Sequence, residues 1–342
     1  MCTAPDPKTW DMGDKKRKIV VLLDDLEGHP AFLAWKCICP ASAPPASIEM
    51  LKTKKKKCAV YRLRGVTGAG GPVIVKQRGI GELSGEARIY TDVFPALFLP
   101  MVDCYGYLED FNGDSWLFLE DAGELRYSPE IPAHCALAIR WMACLHSTPT
   151  KVVSNLRDSG PAYFRSVLGE ARQNVRSSLA HPSIEDSFIG SFEALLDHMN
   201  VIENRWAHIE QACSGVAKTL VHGDFAPRNV RVRGAGDDAH LLVIDWELAG
   251  AAPPAADIVR IPGGRRELRA YFDMLKEAVR SLAWEDIERL HRIGEIFRLL
   301  HAVQWDSRIF FTHTWIERAK RHMLDYERAL HDLVQDGLWL HG

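Results

Sequence analysis

Short apolar runs separated by glycine, proline and lysine characterise the first third of the chain. Alternating apolar and polar residues predict strands over Ile48–Leu51 and Cys58–Leu63, with a lysine-rich turn at 52–57 between them. The β-branched run Val73–Val75 predicts a third strand that ends at Lys76. The other elements predicted in this part are a strand over Ser115–Glu120 and two short helices, over Ile19–Leu26 and Gly85–Phe94.

Helical periodicity replaces this pattern after residues 121–123, where Asp-Ala-Gly ends the last strand. Helices are predicted over Pro132–His146, Tyr163–Leu179 and Ser187–Gln211, and again from Arg265 to the C-terminus. Two short β-like runs, Thr219–Gly223 and Leu241–Asp245, interrupt the helices, and each carries polar residues at its end.

Strands followed by helices predict an α+β fold with two lobes. The smaller, β-rich lobe is expected at residues 1–121, of which 1–45 form an N-terminal extension, and the larger, helical lobe at residues 122–342. A chain of 342 residues is long enough to build a hydrophobic core in each lobe.

The segment from Val221 to Asn229 is the most informative motif, because it places polar residues on one loop after a β-like run. It reads His-x-Asp, then four residues, then Asn, with His222, Asp224 and Asn229 at the named positions. Phosphoryl transfer to a hydroxyl needs a carboxylate that orients the attacking group and accepts its proton, and Asp224 can do this. It also needs oxygen ligands for Mg²⁺, and Asn229 can supply one.

A second motif follows sixteen residues after Asn229. The apolar run Leu242–Ile244 delivers Asp245 to an exposed strand end, where a carboxylate can bridge Mg²⁺ to the phosphates of a nucleotide. The role of Glu247 stays open between a metal ligand and a supporting group. The two motifs in this order are far more specific than either one alone.

These residues resemble the phosphotransferase family that includes aminoglycoside phosphotransferases and choline kinases. The resemblance implies a bilobal, protein kinase-like fold and an ATP-dependent kinase. It also implies that Asp224 is the catalytic base, that Asn229 and Asp245 hold Mg²⁺, and that His222 orients the catalytic loop without transferring protons. By the same resemblance, Asp257 braces the loop rather than touching substrate.

Earlier residues of the chain match the nucleotide-binding part of the family in order. Lys76 resembles the lysine that contacts the α- and β-phosphates, and Glu86 its ion-pair partner, with Glu82 one helical turn away as the alternative. The strand end resembles the hinge that reads adenine, which the resemblance places at Glu120, Asp121 and Ala122. The predicted turn at 52–57 has no glycine to approach phosphate, so its lysines either bind phosphate or form a solvated turn, and GTP stays open as the donor.

Composition excludes several other classes. The formal net charge of −3 gives no electrostatic case for a nucleic acid or a membrane surface as partner. The N-terminal segment lacks the apolar core of a signal peptide, and no apolar run is long enough to span a bilayer. Eight cysteines scattered over a long chain indicate reduced thiols, and the expected compartment is the cytoplasm. The oligomeric state is left open.

The expected acceptor is a hydroxyl of a small molecule. Protein kinases dock peptides on a long segment after the metal-binding Asp, whereas only residues 246–256 separate Asp245 from Asp257 here, and they contain no Ser, Thr or Tyr. Aminoglycosides, other antibiotics and amino sugars rank first as acceptors, and other hydroxylated metabolites follow closely. The alternatives are a catalytically weak nucleotide-binding protein of this fold and a metal-dependent hydrolase.

The C-terminal half also contains aromatic and histidine side chains whose function the sequence does not specify. At helical spacing such residues are more often core than substrate-stacking groups. They are therefore interpreted as core residues: His301, Trp305, His313 and Trp315.

Overall fold

The computed structural model describes residues 19–54, 58–68, 71–311, 315–337 and 339–340. Contacts divide the chain into two units. Unit 1 comprises the described residues up to Tyr90 together with Val102–Asp121, and unit 2 comprises Thr91–Met101 and the described residues from Ala122 onward. None of the helices in the described part of the chain has the length and apolar character that a membrane span requires.

Unit 1 is built on an antiparallel sheet of six strands, in the order β1-β2-β3-β4-β6-β5. Its elements are β1 (Val20–Leu22), α1 (Pro30–Ile38), β2 (Ser47–Lys54), β3 (Cys58–Arg64), β4 (Val73–Gly79), α2 (Ser84–Arg88), β5 (Cys104–Glu109) and β6 (Asp114–Glu120). A π-helical turn, Ile89–Val93, continues directly from α2.

The core of unit 1 lies between the sheet and α1. Trp35 of α1 packs on Phe118 of β6, with ring centroids 5.6 Å apart, and both side chains are buried. Val73 and Val75 of β4 contribute to the same cluster from the same face, because alternate residues of a strand point the same way. The β-branched and aromatic residues of these strands thus form a sheet because one face is buried against a helix.

Most predicted strands of this part are present, and three details differ. The segment Ile19–Leu26 is not a helix: Val20–Leu22 pairs with β2, since adjacent valines favour a strand and Asp25, with φ of 48°, prevents helical continuation. Lys76 does not end its strand but lies in the middle of β4. The helix α1 and the strand β5 were not predicted.

Unit 2 is mainly helical. Its helices are α3 (Pro132–His146), α4 (Thr150–Val153), α5 (Pro161–Leu179), α6 (Asp186–Asn204), α7 (Trp206–Ser214), α8 (Ala255–Ile258), α9 (Arg265–Ala278), α10 (Trp284–Ser307) and α11 (Ile316–Asp336). Its strands form two antiparallel pairs, β7 (Thr219–Val221) with β10 (Gly250–Ala252) and β8 (Val230–Arg233) with β9 (His240–Val243). The prediction of a β-rich part followed by a larger helical part is confirmed.

Helix α10 lies at the centre of unit 2 and packs against α5, α8 and α11. Phe297 of α10 stacks on Phe164 of α5, with ring centroids 3.9 Å apart and the ring planes almost parallel. Gly294 allows α8 to approach, because a Cβ at this position would collide with the carbonyl oxygen of Ala255. Glycine therefore sets the separation of these two helices.

Two expectations about the helical part need correction. The single helix predicted over Ser187–Gln211 is two helices, α6 and α7, because the backbone of Arg205 leaves the helical conformation between them. Trp305 and Trp315 are not core residues, since 59% and 64% of their surfaces are exposed. His301 is partly buried, and His313 lies outside the described residues.

The packing at Gly294 predicts the effect of adding one methyl group. We expect Gly294→Ala to lower the free energy of unfolding by about 2 kcal/mol or more, because α8 must move away from α10. The matched control is Gly169→Ala in α5, where no atom lies within 4 Å of the added Cβ. That change should raise stability by about 0.5–1 kcal/mol, since alanine favours the helix. Urea unfolding measures both, and equal effects of the two substitutions would contradict this description of the packing.

Candidate functional site

In unit 1, the predicted phosphate-binding lysine forms a close ion pair. Lys76 Nζ donates to both carboxylate oxygens of Glu86, at 2.7 and 2.9 Å, and the Glu86 side chain is only 1% exposed. The central position of Lys76 in β4 and the position of Glu86 in α2 bring the two groups together. Glu82, the alternative partner, is exposed instead. The ion pair holds the ammonium group of Lys76 in one place, as a fixed phosphate contact requires.

The three predicted hinge residues are engaged to different degrees. The main-chain N–H groups of Glu120 and Asp121 donate to the carbonyl oxygens of Asp103 and Pro72, at 2.8 and 3.3 Å. The carboxylate of Asp121 forms an ion pair with Arg62 at 2.6 Å. Among the described residues, only Ala122 of these three has a main-chain N–H without a hydrogen-bond acceptor.

The other predicted phosphate contact, the lysine turn at 52–57, lies largely outside the described residues. Lys52 to Lys54 belong to β2, and residues 55–57 are not described.

In unit 2, a buried carboxylate holds the start of the catalytic loop. Asp257 of α8 accepts hydrogen bonds from the main-chain N–H groups of His222 and Gly223, at 2.7 and 2.8 Å. Gly223 has a φ of 78°, and a Cβ here would lie 2.7 Å from the carbonyl oxygen of Leu248. The glycine of the motif is therefore needed both for the left-handed backbone and for the close approach.

Both ring nitrogens of His222 form hydrogen bonds with the main chain. Nε2 lies 3.1 Å from the carbonyl oxygen of Ile244, and Nδ1 lies 3.1 Å from the main-chain N of Asp224. A carbonyl can only accept and an N–H can only donate, so this pattern requires a neutral ring with its proton on Nε2. His222 thus links the catalytic loop to the segment that carries Asp245.

One carboxylate oxygen of Asp224 is held by two neighbours in the loop. Oδ2 accepts from the side-chain amide of Asn229 at 2.9 Å and forms an ion pair with Arg228. Among the described residues, no group bonds to Oδ1 of Asp224. The carboxylate is therefore oriented through one oxygen, while the other can receive a proton from a substrate.

Asn229 and Asp245 are brought close to each other by the main chain. The main-chain N–H of Ile244 donates to the carbonyl oxygen of Asn229 at 2.9 Å, and Asp245 follows directly in the left-handed conformation, with φ of 71°. The amide nitrogen of Asn229 faces Asp224, which leaves its amide oxygen as an acceptor. One amide oxygen and one carboxylate are hard ligands that suit Mg²⁺.

Asp257 stays ionised although it is buried. Burial alone would raise the pKa of this carboxyl, but the hydrogen bond and charge of His146 and the hydrogen bond from the main chain of His222 together lower the pKa below its ordinary value. His146 Nε2 lies 3.3 Å from Asp257, and its Nδ1 lies 2.8 Å from the hydroxyl of Tyr271. A chain of buried polar groups thus supports the catalytic loop from behind.

Sequence reasoning did not identify three of these residues. His146 and Tyr271 sit on helices whose apolar spacing hides them, and their role depends on packing that no local motif records. Arg228 stands inside the motif, four residues after Asp224, a spacing at which opposite charges often pair. That spacing was the one available signal.

Comparison with known proteins places the chain among phosphotransferases. The model of the phosphotransferase enzyme family matches residues 59–291. No curated protein matches the chain in sequence.

Several solved structures share the fold. A candidate aminoglycoside phosphotransferase from Ralstonia eutropha JMP134 aligns with a TM-score of 0.62 at 14% identity, over 90% of this chain and 98% of its own. Spectinomycin phosphotransferase in complex with ADP and spectinomycin aligns at 0.58 and 10% identity, over 89% and 97%. Choline kinase from Cryptosporidium parvum Iowa II aligns at 0.56 and 10% identity, over 85% and 90%. The predicted protein kinase-like fold is thereby confirmed.

The buried position of Asp257 leads to a prediction about stability and pH. We expect Asp257→Asn to lower the free energy of unfolding by about 2–4 kcal/mol at neutral pH, because the amide cannot accept both main-chain N–H groups as a carboxylate does. Since folding lowers the pKa of Asp257, its ionised form contributes stability above the unfolded value of 3.8. That contribution is lost as the pH falls below this value.

Urea unfolding between pH 7 and pH 3 tests both parts. The difference between wild type and Asp257→Asn should shrink at the acidic end. The control is Asp273→Asn, because Asp273 is exposed and pairs only with Arg269 at the surface. A loss of stability that is equal for both variants would contradict the role of Asp257.

Proposed function

Because the chain belongs to the phosphotransferase enzyme family, we propose that it transfers the γ-phosphoryl group of ATP to a hydroxyl of a small molecule. The observation that carries this proposal is the carboxylate of Asp224, which is oriented through Oδ2 by Asn229 and Arg228. Its other oxygen faces no partner among the described residues. A base held in this way is what attack by a hydroxyl on phosphorus requires.

In the proposed step, the acceptor hydroxyl approaches Oδ1 of Asp224. The hydroxyl oxygen forms a bond to the γ-phosphorus, and the bond between that phosphorus and the bridging oxygen breaks. ADP leaves with the electron pair of the broken bond, and the hydroxyl proton passes to Asp224. His222 keeps the loop in position and transfers no proton, since both of its nitrogens are engaged.

The residues that would hold Mg²⁺ are Asn229 and Asp245. The metal would neutralise negative charge on the phosphate oxygens of the nucleotide. Asn229 serves two purposes in this proposal, since its amide nitrogen orients Asp224 while its amide oxygen remains for the cation.

Lys76 is the proposed contact of the nucleotide phosphates, and Ala122 the proposed main-chain contact of the base. The Lys76–Glu86 ion pair supports the first role, and the unused N–H of Ala122 supports the second. The complex of spectinomycin phosphotransferase with ADP supports an adenine nucleotide for a chain of this fold.

The geometry argues against a metal-dependent hydrolase. That alternative uses His222 as a metal ligand, but a neutral imidazole can ligate only through a nitrogen with a free lone pair. Nδ1 of His222 accepts from Asp224 N–H and Nε2 lies against a carbonyl oxygen, so neither nitrogen is available.

Removing the base should separate chemistry from binding. We expect Asp224→Asn to lower kcat by at least about 100-fold, because a positioned base typically contributes this much, while the nucleotide still binds. ADP release in the presence of Mg²⁺ and a panel of small hydroxylated acceptors measures kcat, and calorimetry measures nucleotide binding. Asp186→Asn, at the start of α6, is the matched control and should keep wild-type turnover. Normal turnover in Asp224→Asn would contradict the assignment.

Removing the lysine should affect phosphate positioning. We expect Lys76→Ala to raise the KM for the nucleotide and to lower kcat together, because the ammonium group contributes in the ground state and during transfer. The KM for the acceptor should change little. Lys151→Ala, at an exposed position of α4, is the control. An unchanged KM for the nucleotide in Lys76→Ala would count against the role of this residue.

A further inference from the structure

Unit 2 places several arginines around the proposed base. Arg228 lies in the catalytic loop, Arg260 follows α8, and Arg298 belongs to α10. Arg260 is close enough to interact electrostatically with Arg298, Arg228 and Asp224. Three separate elements of the fold thus direct cationic side chains to the surroundings of one carboxylate.

Two of these arginines lack the partner that a partly buried cation normally has. In the part of the chain that the structure describes, neither Arg260 nor Arg298 has a side-chain hydrogen bond or an ion pair. Burial and the nearby charges of Arg298 and Arg228 lower the pKa of Arg260 to about 10, and burial lowers the pKa of Arg298 as well. Both groups still carry a positive charge at neutral pH, and this charge is costly without an anion.

The acidic groups within electrostatic reach are already used. Asp257 accepts the main-chain N–H groups of His222 and Gly223. Asp224 pairs with Arg228 through Oδ2, and Glu295 pairs with Arg292 at 3.0 Å. No carboxylate among the described residues therefore neutralises Arg260 and Arg298 directly.

A fourth arginine extends this basic region on the side of α5. Arg157 donates to the carbonyl oxygen of Ala249 at 3.0 Å and lies over the ring of Tyr163, 5.4 Å from its centroid. The hydroxyl of Tyr163 lies 2.8 Å from Nε2 of His301. Burial lowers the pKa of His301 to about 4, and the charges of Arg157 and Arg260 act in the same direction, so the histidine is neutral and offers hydrogen bonds rather than charge.

We infer that the acceptor carries an oxyanion group, a carboxylate or a phosphate, that Arg260 and Arg298 bind while its hydroxyl lies at Asp224. This inference rests on the proposed function and specifies its substrate class. Arginine suits this role because its planar guanidinium binds two oxygens of a carboxylate or phosphate at once. A polycation such as an aminoglycoside would meet like charges here, so the inference departs from the ranking that the sequence favoured.

Calorimetry on the full chain tests the inference with the nucleotide site filled by a non-hydrolysable ATP analogue and Mg²⁺. The anionic probes are gluconate, glycerate and glucose 6-phosphate, which separate carboxylate from phosphate recognition. The cationic probes are kanamycin and choline. We expect at least one anion to bind and both cations to bind at least about 10-fold more weakly, as one hydrogen bond to a charged group implies.

Variants then assign the binding to the two arginines. We expect Arg260→Gln and Arg298→Gln each to weaken anion binding by about 10-fold or more, and Arg260→Lys to recover part of the loss because it keeps the charge. Arg265→Gln is the matched control, since Arg265 is exposed and pairs with Glu288 on the surface of unit 2. Thermal unfolding checks that each variant is folded, and the second arginine keeps the test informative when one variant is not.

The outcomes separate this inference from the proposed function. Binding of no anion, anion binding that both glutamine variants leave unchanged, or preferential binding of the cations would overturn the inference. ADP release from wild type with a cationic acceptor would then keep the proposed function alone. Anion binding that depends on the arginines, without turnover of ATP by any acceptor, would support the anion site and overturn the proposed function.

Discussion

The carboxylate of Asp257 is the group on which the catalytic loop depends. It is buried, it receives two main-chain N–H groups at the start of the loop, and it remains ionised because His146 and the loop itself stabilise its charge. Without it, two buried donors would lose their acceptor, and the backbone at Gly223 would no longer be held against Leu248. The orientation of Asp224, the next residue of the loop, follows from this anchoring.

Satisfied and unsatisfied charges have different meanings in this molecule. The Lys76–Glu86 pair and the bonds of Asp257 are complete within the protein, so these residues hold other groups in place. Arg260 and Arg298 have no such partner among the described residues. A protein gains no stability by burying cations in this way, which is why a ligand is the natural explanation for them.

The sequence predicted the parts of the site that are local in the chain. Asp224 and Asn229 share one loop, and Asp245 ends the strand that pairs beside it, so spacing alone brought them together. The ion pair of Lys76 required only the order of strand and helix. Arg260 and Arg298 were not found, because their proximity arises from the packing of α10, and single residues in amphipathic helices carry no signal of their neighbours. The strand β1 was missed for the same reason, since its pairing with β2 is a tertiary contact.

Phosphorus-31 nuclear magnetic resonance follows the central claim, transfer from ATP to an organic hydroxyl, without assuming the acceptor. Wild-type protein, ATP, Mg²⁺ and a mixture of hydroxylated acceptors should give a new phosphomonoester resonance that grows in step with ADP. The same mixture with Asp224→Asn should give almost none. A spectrum in which ATP persists in every mixture, or in which inorganic phosphate is the sole product, would contradict the account.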